Sequence, residues 1–247
     1  MTTTNYSTQT IVHPNADYDR EVVLQVEDLQ VVFKTYGGSV QAVRGASFNL
    51  YKGETLAIVG ESGCGKSVTS NAIMGLVPTP PGTVSAKNIK FKNKDLTRMS
   101  KKDYRAIQGK DISMIFQDPM TALNPTLTIG EQLTEGLKTH KKIGSAEAKK
   151  KAIEMLELVG LSNPEERLKQ YPHQFSGGMR QRIVIAIALI CEPELLIADE
   201  PTTALDVTIQ AQILELFAEI QARTGVSIIL ITHDLGVVAK IADRIAV

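Results

Sequence analysis

The 247-residue chain has no surplus of either charge, since Lys plus Arg and Asp plus Glu number 27 each. A basic face for nucleic acid is therefore not its dominant feature, and nucleic acid is not expected as a partner. Cysteine is scarce: Cys64 and Cys191 stand far apart, with no CxxC or Cys/His spacing around them. That argues against a disulfide framework or a structural zinc site and fits a reducing cytosol. Long apolar runs are missing too, none approaching the roughly 20 residues of a membrane span. The first ten residues are Thr-rich, without the cationic start and apolar centre of a secretory signal. Residues 1 to 20 read as a disordered polar leader, and no internal repeat or low-complexity linker is visible. What remains is 43% apolar and 22% charged, enough to bury a sizeable core.

β-Branched and aromatic residues alternate with polar ones over 22–33 and 46–59, which predicts an antiparallel sheet leading into a buried strand. That strand ends at Gly60; 66–76 reads as a helix and 111–117 as a second buried strand. From about 126 to 175 only helix and loop are expected, with 145–159 amphipathic and Ser162 as an N-cap three residues before Glu165. Strands return at 195–198 and 226–232, around a helix whose Ile209, Ile213, Leu216, Phe217 and Ile220 keep 3.6-residue spacing. The fold class is α/β with a helical insert. The last four residues, Arg244-Ile245-Ala246-Val247, resemble the start of a strand, so a C-terminal extension is expected beyond them.

Directly after the apolar run Leu56-Ala57-Ile58-Val59 stands Gly60-Glu61-Ser62-Gly63-Cys64-Gly65-Lys66-Ser67. It fits G-x-x-x-x-G-K-[ST], the P-loop pattern, in the strand-then-helix context that pattern requires. Glycines let main-chain N–H groups converge on an anion where a Cβ would block the curvature. The helix start adds further N–H groups and its positive dipole end. Lys66 would reach the β- and γ-phosphates, and the Ser67 hydroxyl would bind Mg²⁺. An accidental glycine-rich turn is the plain alternative, and the flanking strand and helix weigh against it. Leu195-Leu196-Ile197-Ala198 runs into Asp199-Glu200, placing two carboxylates at a strand's C-terminal edge, where α/β sheets bind ligands. Asp199 can hold Mg²⁺ through water and Glu200 can polarise an attacking water; carboxylates that merely end a strand are the other reading.

Phe175-Ser176-Gly177-Gly178-Met179-Arg180-Gln181-Arg182 could be a plain helix cap, but it resembles the signature motif of ATP-binding cassette (ABC) ATPases, usually LSGGQ. Phe175 and Met179 depart from the motif, while Ser176, Gly177 and Gly178 match it. The resemblance runs from Val22 onward and implies a P-loop NTPase: a RecA-like core over about 21–118 and 185–247 with an antiparallel β subdomain, and a helical subdomain over about 119–184. It implies ATP and Mg²⁺ as cofactors, with the nucleotide held by Gly60, Glu61, Ser62, Gly63, Cys64, Gly65, Lys66, Ser67 and Val68. Many cassettes carry Thr where this chain has Val68, which offers only its backbone N–H. Glu200 is then the catalytic carboxylate, Gln117 the Q-loop residue at the metal and near the transmembrane partner, and His233 the switch histidine. Asp206 is the D-loop aspartate, a helix N-cap or both; Tyr36 is the aromatic that stacks on adenine, with Phe33 as competitor.

In such ATPases the Ser176–Gly178 element of one cassette caps the nucleotide on the P-loop of another, so a second ATPase subunit, like or unlike, is implied. The stretch 116–125, FQDPMTALNP, together with Tyr171-Pro172-His173-Gln174, resembles the ATPases of bacterial oligopeptide and dipeptide importers, a group that includes nickel and glutathione transporters. That implies permease subunits, indirectly an extracytoplasmic peptide-binding protein, and a peripheral place on the cytoplasmic face of the membrane. Rival readings are a non-transport cassette ATPase and a module that senses ATP without hydrolysing it.

Overall fold

The computed structural model describes residues 10–12, 20–203 and 205–247. The chain divides into two compact units, one of residues 1–105 with 227–247 and the other of 106–226. The stretch 119–184, expected to be helical, thus lies inside the second unit together with the segments that follow it up to residue 226.

The first unit opens with strands β1 (Thr10–Val12), β2 (Val22–Thr35), β3 (Gly38–Tyr51) and β4 (Thr55–Val59). Helix α1 (Lys66–Ile73) and strands β5 (Gly82–Ser85), β6 (Asn88–Phe91) and β7 (Lys94–Asp95) follow. Helix α2 (Lys101–Ile107) leads into the second unit, which holds β8 (Ile112–Ile115), α3 (Pro119–Ala122), α4 (Ile129–Gly136), α5 (Ser145–Leu158) and α6 (Pro164–Arg167). It continues with α7 (Gly177–Leu189), β9 (Leu195–Asp199) and α8 (Val207–Thr224). The chain then returns to the first unit with β10 (Ser227–Thr232), α9 (Leu235–Ile241) and β11 (Arg244–Ala246).

Within the first unit β2 and β3 form a long antiparallel hairpin, and β5 and β6 pair antiparallel with β2. The hairpin closes at Thr35 and Gly38 over the turn Tyr36-Gly37, so β3 begins eight residues earlier than the expected 46. Its first four residues, Gly38 to Gln41, are exposed, and pairing with β2 rather than alternation makes them a strand. β4 lies between parallel partners β10 and β11, an arrangement buried on both faces that explains the continuous apolar runs. Leu56, Ala57, Leu230 and Ile231 are fully or almost fully buried. Thr10–Val12, read as part of a disordered leader, instead form β1 antiparallel to β11, whose edge would otherwise present unpaired backbone groups. Residues 1–9 and 13–19 of that leader lie outside the described residues.

A buried ion pair ties the turn after β3 to β11. Arg244 Nη1 donates to Glu54 Oε1 at 2.9 Å and to the Asn49 carbonyl at 3.2 Å, and its guanidinium lies 5.1 Å from the centre of the Tyr51 ring. Glu54 Oε2 also accepts the Tyr51 N–H at 2.7 Å. Burial pushes the Glu54 carboxyl above its ordinary value, although the Tyr51 amide and Arg244 both pull it down.

In the second unit β8 and β9 run parallel, from Ile112 beside Leu195 to Ile115 beside Ala198. Leu133, Leu156, Ile183, Ile185, Ile197, Ile213 and Phe217 supply its core. α4 starts with a complete capping box of Thr128 and Glu131. α6 is capped differently from expectation: Asn163 is the N-cap, in the left-handed region at φ 54°, with Pro164 at the first helical position. Ser162 therefore sits one residue too early.

Candidate functional site

In the first unit, the loop after β4 curls because three glycines take conformations that other residues resist. Gly63 (φ 81°) and Gly65 (φ 98°) are left-handed, and Gly60 stands at φ 158°. A Cβ on Gly65 would collide with the Ala42 carbonyl oxygen of β3, and one on Gly60 would meet Cys64 Sγ at 2.7 Å. α1 then opens at Lys66 with Gly65 as N-cap and no side-chain cap; the Thr69 and Ser70 hydroxyls donate to the Gly65 and Ser67 carbonyls. A helix's first-turn N–H groups have no partner inside the helix, so this end favours an anion.

Lys66 is only 7% exposed. Its Nζ donates to the carbonyls of Gly60 and Glu61, both at 2.8 Å, with Cys64 Sγ at 3.8 Å. All three partners are neutral, and among the described residues no carboxylate pairs with this nearly buried ammonium. An anion inside the loop would balance its charge. The glycine curl, the helix end and the nearly buried cation fit the phosphates of ATP.

Tyr36, at the β2–β3 turn, is fully exposed. Phe33 is half-buried, and its ring closes to 3.0 Å of a Cβ placed on Gly82, the residue it pairs with across to β5. Phe33 is thus committed to packing and Tyr36 is available for stacking. His233 follows β10 directly and is exposed; the next residue, Asp234, donates its N–H to Thr232 Oγ1 at 3.1 Å.

In the second unit, Asp199 ends β9 and is 5% exposed, while Glu200 turns the chain at φ 47°. That left-handed conformation costs a glutamate about 1–2 kcal/mol and is kept only where surroundings over-determine it. Gln117, two residues past β8 and exposed, donates to Glu200 Oε2 at 3.0 Å. Thr203 Oγ1 donates to the same oxygen at 3.0 Å, and Thr203 N–H to the Glu200 carbonyl at 3.1 Å. Two predicted site residues, Gln117 and Glu200, are thereby in direct contact. Ser67 hydroxyl, Asp199 carboxylate and Gln117 amide are hard oxygen donors of the kind Mg²⁺ takes. No group of three or more His, Cys, Asp or Glu side chains that could hold a metal occurs among the described residues.

Ser176 caps α7, accepting the Met179 N–H at 3.4 Å, so Gly177 and Gly178 form its first turn. Space around Gly177 is open, whereas a Cβ on Gly178 would meet Ile209 Cγ2 of α8 at 2.9 Å. Asp206 is the N-cap of α8, accepting the Ile209 N–H at 3.0 Å. Its neighbour Ala204 lies outside the described residues.

Sequence reading missed Gln181, Gln210 and Thr203. Gln181 is fully buried and donates to the Pro201 carbonyl at 2.6 Å; Gln210 holds the carbonyls of Thr202 and Leu205 at 3.2 and 3.1 Å. The available signal was periodicity: Gln181 shares one helical face with Val184, Ile185 and Ala188, all buried.

A glycine-curled loop between a parallel strand and a helix, a carboxylate pair ending another parallel strand, and a serine-capped Gly-Gly helix start define a P-loop nucleotide-binding cassette. The ABC transporter family matches residues 43–203, and the chain belongs to that family. It is 72% identical over 92% of its length to the dipeptide transport ATP-binding protein DppD of Bacillus subtilis, and 64% identical over 91% to the oligopeptide transport ATP-binding protein OppD of the same organism. The chain spans 68% and 63% of those two proteins. Among solved structures, a dimeric ATP-binding cassette in a post-hydrolysis state with ADP and Pi shares 27% identity at a TM-score of 0.76, over 87% of this chain and 89% of that one. A cassette of the cbiONQ complex of Clostridium perfringens reaches 0.74 at 28% identity, over 92% of this chain and 87% of that one.

Proposed function

We propose that the chain is the ATP-binding and ATP-hydrolysing subunit of an ABC importer for dipeptides or oligopeptides. The observation that carries the nucleotide reading is Lys66, a nearly buried cation whose partners among the described residues are neutral, inside a glycine-lined curl. The similarity to the dipeptide and oligopeptide transport ATP-binding proteins DppD and OppD supports the substrate class.

The backbone N–H groups of 60–68 and Lys66 bind the phosphates, and Tyr36 stacks on adenine. Ser67, Gln117 and Asp199 would hold Mg²⁺, which neutralises charge on the phosphate oxygens. Glu200 orients the attacking water and takes up its proton; His233 bonds the γ-phosphate. Gln117 and Thr203 both donate to Oε2 of the Glu200 carboxylate, which fixes its orientation for that task. A second ATPase subunit caps the nucleotide with its own equivalent of Ser176, Gly177 and Gly178; that a similar cassette is dimeric with ADP and Pi bound supports this reading. Loss of the γ-phosphate contact opens the pair, and that motion reaches the permease subunits. No helix among the described residues is long and apolar enough to cross a membrane. The chain works on the cytoplasmic face through its permeases, which receive peptide from an extracytoplasmic binding protein.

The test is phosphate release from wild type and Glu200→Gln. Losing a general base costs about 10²–10⁴ in rate, while ATP should still bind. Equal rates would remove Glu200 from the chemistry and favour a sensor.

A further inference from the structure

The buried amide of Gln181 joins two parts of the second unit with separate duties. α7 carries Ser176, Gly177 and Gly178 at its start, and Gln181 lies one helical turn after Gly177. Its Nε2 donates to the Pro201 carbonyl at 2.6 Å, the residue immediately after Glu200. Pro201 has a ring-fixed φ and no N–H, so its carbonyl is the polar handle by which this turn can be gripped.

A buried glutamine on an apolar helix face is tied here to the turn after Glu200. The side chain is wholly buried on a face shared with Val184, Ile185 and Ala188, and its Oε1 has no hydrogen-bond partner among the described residues. A methionine would fill the same space and remove the unpartnered Oε1, while leaving the Pro201 carbonyl without its Gln181 donor. Glu200 at φ 47° does need an outside constraint, because its own conformational preference opposes that geometry. The turn is gripped from two sides, by Gln181 on Pro201 and by Gln210 of α8 on Thr202 and Leu205, while Thr203 closes back on Glu200.

We propose that Gln181 is a positioning residue that couples the signature helix to the catalytic carboxylate, resting on the ATPase reading above. Ser176–Gly178 caps the nucleotide held by the other subunit, whereas Glu200 serves the nucleotide held by this chain. A shift of α7 when it engages the other subunit's nucleotide is carried one rigid turn to Gln181 and through Pro201 to Glu200. Capping at one site thereby sets the carboxylate at the other, and the two hydrolysis events become cooperative.

The experiment compares wild type, Gln181→Met and Gln181→Leu, purified as the full chain, by thermal melting, Mg-ATP titration and the ATP dependence of phosphate release. The expected result for both variants is a fall in melting temperature of no more than roughly 2–12 °C, from the loss of the donor to the Pro201 carbonyl, and a Kd for Mg-ATP within about threefold. Alongside it, kcat should fall at least about tenfold, and the Hill coefficient should drop toward 1. Unchanged kcat and Hill coefficient would overturn the coupling, as would a kcat loss matched by an equal loss of ATP binding. Failure of both variants to fold would assign Gln181 a structural role and likewise overturn it. Wild-type turnover separates the two readings: an inactive wild type removes the ATPase reading and the coupling with it, whereas an active wild type equalled by Gln181→Met removes only the coupling.

Discussion

Replacing Gly65 with alanine should damage the protein far more than replacing Gly63, although both glycines belong to one loop and both are left-handed. At Gly63 (φ 81°) a new Cβ meets nothing within 4 Å, so only the backbone preference is lost. That is about 1 kcal/mol, or a fall in Tm of roughly 2–4 °C for a chain of this size. At Gly65 (φ 98°, ψ 5°) the same preference is lost and the Cβ also lands on the Ala42 carbonyl oxygen, a backbone atom that cannot rotate away. Either β3 or the loop must move, adding about 1–3 kcal/mol, for a total fall in Tm of roughly 4–16 °C. Movement of the loop also spoils the convergence of its N–H groups, so Mg-ATP affinity should drop together with stability. Thermal melting without nucleotide, followed by titration with Mg-ATP, reads both effects. Equal melting temperatures for the two variants would refute the claim that the contact with Ala42 sets the curvature of the loop.

Arg244→Met should destabilise by about 3–5 kcal/mol, because it leaves the Glu54 carboxylate buried without its cation. Glu54 already has a raised pKa when folded, so the folded state holds that proton more tightly than the unfolded one. Its contribution is therefore largest below the unfolded value near 4.5 and declines as pH rises through the folded value. In Arg244→Met that decline should be steeper, with partial recovery on acidification; urea midpoints against pH check it, and a pH-independent loss would contradict it. Tyr36→Ala should cost about 1–3 kcal/mol of nucleotide affinity, the worth of one base–aromatic stack, with little change in stability. Phe33→Leu should do the reverse, and loss of affinity only in the Phe33 variant would reassign the adenine contact.

Features imposed by local chemistry were legible in the sequence. The P-loop stands out because each glycine answers a backbone demand next to an apolar run, and Asp206 was readable as a cap because Asp is among the strongest N-cap residues. Residues whose conformation is imposed from elsewhere were not. The first part of β3 and the short strands β5–β7 have little alternation and are held by pairing with neighbours. Helix α1 stops at Ile73 rather than 76 because Gly75, at φ 65°, breaks it where Tyr104 packs against the chain. The strained turn at Glu200 and its grip by Gln181 and Gln210 link residues 20 and 8 positions apart to main-chain carbonyls, and no spacing rule marks such bonds.

The nucleotide account rests most directly on the charge of Lys66, and calorimetric titration of wild type and Lys66→Ala with Mg-ATP tests it. Wild type should show saturable binding, and removing the buried cation should weaken it by about 2–5 kcal/mol, at least roughly 30-fold in Kd. Absence of saturable binding to wild type, or equal affinity in Lys66→Ala, would contradict it.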